Sequence, residues 1–433
     1  MKILKKILVT ILILESRLII AKYKPFIVAV TGSVGKTSTK DAVYEVLKLK
    51  FKYVRKSEKS MNSEIGLPLT VIGAPNAWYS VSGWLRNILA GLKVIISKNA
   101  YPDCLVLEVG ADHPGDIKSI TKWLHTDISI ITKISSTPVH VEFFNSPEQL
   151  FEEKAYLATA VKDNGYLILY ADDGKVMSLK DRVANKSIGV LSFGLNENAS
   201  VRGVYSGIAI GEDNNPKGFN FDLIIGNEKA TVGVNNVIGQ TYMYPLLSSA
   251  TVGVAVGLAM NEIVGALSKY EAPKGRMNII AGINGSIIID DTYNSSPDAV
   301  GSALKTLSEM KTSGSKIAVL GDMMELGKYA TSEHRKIGAM VSKIANVLVT
   351  VGPRSHFTAE EAQNSGMSKD SIYSFDDSIK AGKFLEALVK TGDIILIKGS
   401  QSIRMERVTR ALLKEPEKAD RLLVRQEREW QRK

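Results

Sequence analysis

The chain has 433 residues, 45% hydrophobic and 23% charged, with a formal net charge of +10. That length predicts two or three domains, each able to bury a core. A single cysteine, Cys104, excludes an internal disulfide and fits a reducing cytoplasm, the expected location. The basic excess is scattered, without zinc-finger spacing or an aromatic–basic ribonucleoprotein motif, which argues against a nucleic-acid partner.

The first stretch, "MKILKKILVTILILESRLIIAKYKP", begins with lysines and an apolar run from Ile7 to Leu14, as a signal peptide does. Glu15 and Arg17 interrupt that run well short of the ~18–20 apolar residues of a spanning helix. No small-residue cleavage site follows. Residues 2–22 are expected as a helix packed on the protein, with a membrane surface as the alternative resting place.

Next comes "IVAVTGSVGKTSTKDAV", Ile27 to Val43: a β-branched strand, a glycine turn and the start of a helix. Such a turn converges backbone N–H groups on anionic oxygens, while a lysine reaches terminal phosphates and a hydroxyl meets Mg²⁺. Gly32, Ser33, Val34, Gly35, Lys36, Thr37 and Ser38 supply those parts, so ATP is the expected ligand. The spacing is G-x-x-G-K-T-S, shorter than the common phosphate loop.

"APNAWYSVSGWLRNILAGLKVIISKNAYP" carries an apolar stripe at Trp84, Ile88, Leu92 and Ile95. It predicts a core-facing or domain-bridging helix, with a membrane-contacting face as the weaker reading. "FIVAV", "CLVLEVG", "ISIITKI" and "GYLILYADD" read as buried strands alternating with helices, the pattern of an α/β sheet with mostly parallel strands. Glu108 closes one of them, where a strand end faces the same crevice as the phosphate turn. His140 and Lys154 follow, and each taken alone is equally well a structural residue. "NFDLIIGNEKATVGV" predicts an antiparallel hairpin on a Gly-Asn turn. At "YEAPKGRMN" proline and glycine mark a boundary, after which a second α/β series begins. The expected plan is an apolar helix (1–24), a central ATP-binding domain with a parallel sheet and a small antiparallel part (25–271), and a Rossmann-like C-terminal domain ending in a charged helical tail (272–433).

The scattered pieces together resemble the Mur ligase family, the ATP-dependent enzymes that build the peptidoglycan peptide. They carry the likeness in order: "TGSVGKTST" (Thr31–Thr39), "MNSEIGLPLTV" (Met61–Val71), "LEVGADHPGDI" (Leu107–Ile117), "HVEFFNSPEQLFEEK" (His140–Lys154), "GRMNIIAGINGSIIIDDTYNSSPDAV" (Gly275–Val300), "VLGDMMELG" (Val319–Gly327) and "IKGSQSIRMERV" (Ile397–Val408). The "DDTYN" and "GDMMELG" pieces are most like the branch that adds D-alanyl-D-alanine to UDP-N-acetylmuramoyl-tripeptide. The resemblance implies that Lys36 binds the β- and γ-phosphates, that Thr37 and Glu108 ligate one Mg²⁺ and that His140 holds a second. It further implies that Lys154 is carbamylated by CO₂. Arg276, Asp291, Tyr293 and Asn294 would reach the nucleotide from the second domain, and Asn62, Lys398 and Ser400 would face the substrates. The implied reaction is amide ligation through an acyl phosphate, by a monomeric cytoplasmic enzyme.

Three departures accompany the likeness. The family carries a leading domain that grips the UDP-sugar, whereas about 24 residues precede the phosphate strand here. The family's G-x-H-N-x-x-N near the adenine reads "GQTYMYP", which offers Tyr242 or Tyr244 for stacking on the base instead. The glutamate two residues after the carbamylated lysine is Tyr156. A Mur-like ligase for another carrier or amino acid, or a non-catalytic nucleotide-binding module, stands as the alternative.

Overall fold

The computed structural model describes residues 2–58, 61–78, 80–98, 100–134, 143–427 and 430. Two sheets organise them. The first has nine strands: β1 (Phe26–Thr31), β2 (Val54–Lys56), β3 (Cys104–Glu108), β4 (Thr126–Ile131), β5 (Val161–Tyr170), β6 (Gly189–Gly194), β7 (Val201–Ile210), β8 (Pro216–Ile225) and β9 (Glu228–Asn235). Their spatial order is β2-β3-β1-β4-β5-β6-β7-β8-β9. All neighbours from β2 to β7 run parallel, and the β7-β8-β9 end is antiparallel. The parallel strands are nearly continuous runs of Val, Ile and Leu because both their faces are buried. The β8–β9 hairpin turns on Gly226, at φ 57°, and Asn227, as its sequence predicts.

The second sheet holds β10 (Asn278–Ala281), β11 (Ile287–Asp291), β12 (Lys316–Gly321), β13 (Val347–Val351), β14 (Ile372–Phe375) and β15 (Ile394–Lys398). The order is β10-β11-β15-β12-β13-β14, parallel except for the edge strand β10. The fold is thus α/β, with a mixed nine-stranded sheet and a mostly parallel six-stranded one.

Three helices matter beyond the sheets. Helix α1 (Lys2–Tyr23) packs one side on the protein, where Leu12 and Ile19 are completely buried. Each such side chain stabilises the docking by about 1.5–3 kcal/mol. Helix α2 (Lys36–Leu47) follows the phosphate turn, and α3 (Gly66–Ile72) is buried throughout. Helix α4 (Val81–Ile96) corrects the sequence expectation of a core or bridging helix. Only Asn87 and Gly91 are buried along it, with Trp84 and Ile95 half-buried and Leu92 exposed. Helix α1, helix α3 and the loop after it, where Asn87 Nδ2 donates to Pro75 O (2.8 Å), fill its inner side, so a helix apolar on nearly every face leaves one apolar face in water.

Candidate active site

Strand order reverses at β1: the chain crosses to β3 and β2 on one side and to β4 on the other. A crevice opens at the carboxyl ends of strands at such a switch point. The phosphate turn leaves β1 there. Gly32 has φ 147° and a Cβ on it would lie 1.9 Å from Thr132 Oγ1, so the backbone passes where no side chain fits. Gly35 caps α2 in the left-handed region, at φ 84°, and no acidic residue occupies the first helical turn. The helix N-terminus is left facing the crevice, its dipole directed at an anion. The turn is pinned from β4: Ser33 N–H donates to Lys133 O (2.8 Å) and Thr132 Oγ1 to Val34 O (2.8 Å).

Lys36 folds back on this turn and donates to Gly32 O at 3.0 Å. Lys154, on the helix Pro147–Thr159, reaches the same carbonyl at 3.1 Å and Ser33 Oγ at 2.9 Å. Two lysines therefore share one acceptor. Burial pushes the Lys154 amine well below its ordinary range, and the charge of Lys36 pushes it further. Lys36 is lowered chiefly by burial as well, with Glu108 opposing that shift and Arg276 reinforcing it.

Glu108 ends β3 beside Val30 of β1. Its Oε1 accepts from Asn62 Nδ2 at 3.4 Å, while its Oε2 is buried without a hydrogen-bond partner among the described residues. An orphaned buried carboxylate oxygen costs several kcal/mol unless something cationic meets it. A divalent cation fits that position, with the Thr37 hydroxyl lining the same cleft. Ser38 is buried in the first turn of α2. His140, the expected ligand of a second Mg²⁺, lies outside the described residues.

The second sheet presents its own strand ends to the same cleft, a cavity of about 690 Å³. From it come Tyr293 and Asn294 after β11, Met324 and Glu325 after β12, and Ser400 after β15. Arg276 stacks 4.2 Å from the centre of the Tyr293 ring, and its Nε is buried without a partner. Ser295 Oγ is orphaned in the same way. The cleft thus holds one acceptor and two donors that nothing among the described residues satisfies, a pattern that calls for a bound cation and bound anionic oxygens.

Four expected residues stand elsewhere. Lys398 is 1% exposed, and its ammonium pairs with Asp291 Oδ2 at 2.6 Å and donates to Asn294 O at 2.9 Å. Neither Lys398 nor Asp291 is among the cleft-lining residues; together they brace the "DDTYN" turn from beneath. Tyr242 is buried, and Tyr244 packs edge-on against Tyr170 at 5.0 Å; neither lines the cleft. Sequence reasoning missed Asp112, Glu325, Arg404 and Trp430, all on the cleft wall. Asp112 sits four residues past Glu108, a spacing that offered a hint. Arg404 and Glu325 are placed by left-handed backbone, at φ 60° and 63°, which no local pattern announced.

Comparison with known proteins agrees with this arrangement. The Mur ligase middle-domain family matches residues 30–82 and 87–252, and the Mur ligase glutamate ligase domain matches residues 275–401. The UDP-N-acetylmuramoyl-tripeptide–D-alanyl-D-alanine ligase of Bacillus subtilis (strain 168) is 26% identical over 397 residues, 90% of this chain and 76% of that protein. The enzyme of the same name from Mycobacterium leprae is 28% identical, covering 87% of this chain and 71% of that one. Among solved structures, the MurF ligase of Thermotoga maritima in complex with ADP superposes with a TM-score of 0.75 at 27% identity, over 95% of this chain and 84% of its own.

Proposed function

The chain belongs to the Mur ligase family of ATP-dependent, amide-bond-forming ligases, and from that premise we propose that it joins D-alanyl-D-alanine to UDP-N-acetylmuramoyl-tripeptide. The observation that carries the reading is one cleft that combines the phosphate turn, two lysines sharing the Gly32 carbonyl and a glutamate oxygen without a hydrogen-bond partner among the described residues.

In the first step a substrate carboxylate oxygen attacks the γ-phosphorus of ATP. The new O–P bond replaces the bond to the β–γ bridging oxygen, giving an acyl phosphate and ADP. In the second, the D-alanyl-D-alanine amine attacks the acyl carbon, and the tetrahedral intermediate expels inorganic phosphate as the nitrogen loses its proton. Such chemistry depends on positioning and charge neutralisation more than on a protein nucleophile. Backbone N–H groups from Gly32 to Thr37 would hold the phosphates, and the Lys36 ammonium would offset charge at the γ position. Arg276 would add its guanidinium from the second domain. Glu108 and Thr37 would hold Mg²⁺, which supplies charge neutralisation at the β- and γ-phosphates.

Lys154 has the property that carbamylation needs, because only a neutral amine adds CO₂ and burial favours that form. As a carbamate, formed with release of a proton, it would place an anion in the cleft that Glu108 and Thr37 also line. Closure of the two sheets' strand ends over the cleft would keep water from the acyl phosphate.

Phosphate release from ATP and Mg²⁺ tests the proposal, with UDP-N-acetylmuramoyl-tripeptide and D-alanyl-D-alanine supplied separately and together and product masses recorded. Release that requires both, with the pentapeptide mass, supports it. Silence in protein that binds ATP transfers the activity to another carrier or amino acid.

A further inference from the structure

We propose that the outer faces of α1 and α4 form a docking surface for an anionic lipid bilayer. The two helices are fastened to each other on their inner sides. The Lys22 ammonium donates to Ile95 O (2.8 Å), Val94 O (3.3 Å) and Ser97 O, closing the C-terminal end of α4. Tyr23 Oη adds bonds of 3.0 Å to Val94 O and Ser97 O. Gly91 lets α4 approach the Glu15 carboxyl so closely that a Cβ would lie 2.2 Å from Oε2. The inward faces are fully used.

The outward faces are apolar too. Val81, Leu85, Leu89, Leu92 and Ile96 are all exposed, Val81 at 84% and Ile96 at 80%. At 100° per residue they fall within roughly an 80° arc of α4. Ile7, Leu14 and Leu18 form a matching exposed row on α1, within roughly 40°. Trp78, 66% exposed, stands just before α4. A water-facing helical arc is ordinarily polar, and isolated exposed leucines are common, but two adjacent helices with aligned apolar rows mark an interaction surface.

Charge decides the partner. Helix α4 contains no Asp or Glu, and the single acid of α1, Glu15, is buried. Lys6, Arg17, Arg86 and Lys93 are exposed on the same two helices, and none has an ion pair among the described residues. A second copy meeting this face across a two-fold axis would set cation against cation. Anionic headgroups complement the cations while the apolar rows enter the acyl boundary. No described helix is long and apolar enough to cross a membrane, so the pair lies in the interface plane. Lys5 pairs at 2.8 Å with Glu64, two residues past the cleft residue Asn62.

Flotation of the full chain with vesicles tests this surface. Vesicles of phosphatidylglycerol and phosphatidylethanolamine should carry the protein upward at low salt, and vesicles of phosphatidylcholine should carry much less. The Leu85→Glu/Leu89→Glu variant should partition at least tenfold less, with an unchanged thermal melt because both side chains face water. Arg86→Gln/Lys93→Gln should lose roughly fivefold per charge, and only on the anionic vesicles. Absence of flotation at low salt overturns the proposal. So does partition indifferent to both variants, or a dimer by light scattering that the leucine variant dissociates.

Discussion

Lys398 offers the sharpest separation between a residue that faces substrate and one that holds the site up. Its ammonium and the Asp291 carboxylate are 2.6 Å apart with side chains 1% and 7% exposed, on adjacent strands in direct register. Lys398→Met removes the cation but leaves the carboxylate in the interior. Breaking a buried pair on one side costs about 3–5 kcal/mol, whereas replacing both partners is often close to neutral. The single variant should therefore lower the stability of the C-terminal domain by about 3–5 kcal/mol, roughly two to three and a half decades in its unfolding constant. Lys398→Met/Asp291→Asn should recover at least half of that loss. Urea denaturation followed by circular dichroism reads both, fitted with separate transitions for the two domains because a single two-state treatment does not apply. Phosphate-release kinetics on the same variants give KM for each substrate. Unchanged denaturation together with a large rise in KM for the peptide substrate would refute the bracing role and return Lys398 to the substrate.

The remaining expectations are briefer. Gly32→Ala puts a methyl 1.9 Å from Thr132 Oγ1 at a φ that side chains rarely adopt, so ATP affinity by calorimetry should fall at least tenfold; unchanged affinity would remove the turn from the phosphate site. Lys36→Ala should abolish ATP binding in the same assay. Lys154→Ala should slow ATP turnover by roughly 10²–10³-fold, with partial recovery on adding a short carboxylic acid; indifferent turnover would rule out its part in the chemistry. Burial raises the Glu15 carboxyl to about 7 from an ordinary 4.5. The folded state then holds a proton that the unfolded chain has released, so stability falls as pH rises from about 4.5 through about 7. Glu15→Gln should stabilise by about 1 kcal/mol at pH 8, allowing for solvent screening, and by almost nothing near pH 4. A gain independent of pH, measured by thermal melts, would contradict that account.

The fold was legible wherever local pattern and burial agree. The β-branched runs that became β1, β3, β4 and β5 are buried on both faces, and the Gly-Asn turn fixed the β8–β9 hairpin without help from the rest of the chain. The phosphate turn was legible for the same reason, since its glycines answer a local backbone demand. What the pattern did not disclose was which partner each side chain meets. Lys398 ends a strand and looks exposed in sequence, but β15 lies between β11 and β12, so its terminal lysine meets Asp291. Helix α4 was misjudged from its composition: an apolar stripe predicts burial, and nothing local says that α1 covers one side only. Trp430 joins the cleft through a long-range return of the C-terminal segment, fixed by Arg404 Nη1 donating to Trp430 O at 2.8 Å.

The electrostatics of the cleft give the two-domain plan its physical sense. The first sheet supplies two lysines whose ammonium forms burial disfavours, and one carboxylate oxygen without a hydrogen-bond partner among the described residues. The second supplies the Tyr293 ring, on which the linker residue Arg276 stacks with its Nε unsatisfied. Each half alone leaves polar groups desolvated at a cost of about 1–3 kcal/mol apiece. On the proposed function a polyphosphate with its cation would answer all of them together: oxygens for the lysines and the arginine, metal for the glutamate. Its negative charge also favours the ammonium form of Lys36 that burial alone disfavours. The free energy released on meeting those groups would be largest with both sheets contributing, so on the proposed mechanism nucleotide binding would favour domain closure. On the proposed mechanism the acyl phosphate would then form in a cleft whose matched charges help to exclude water.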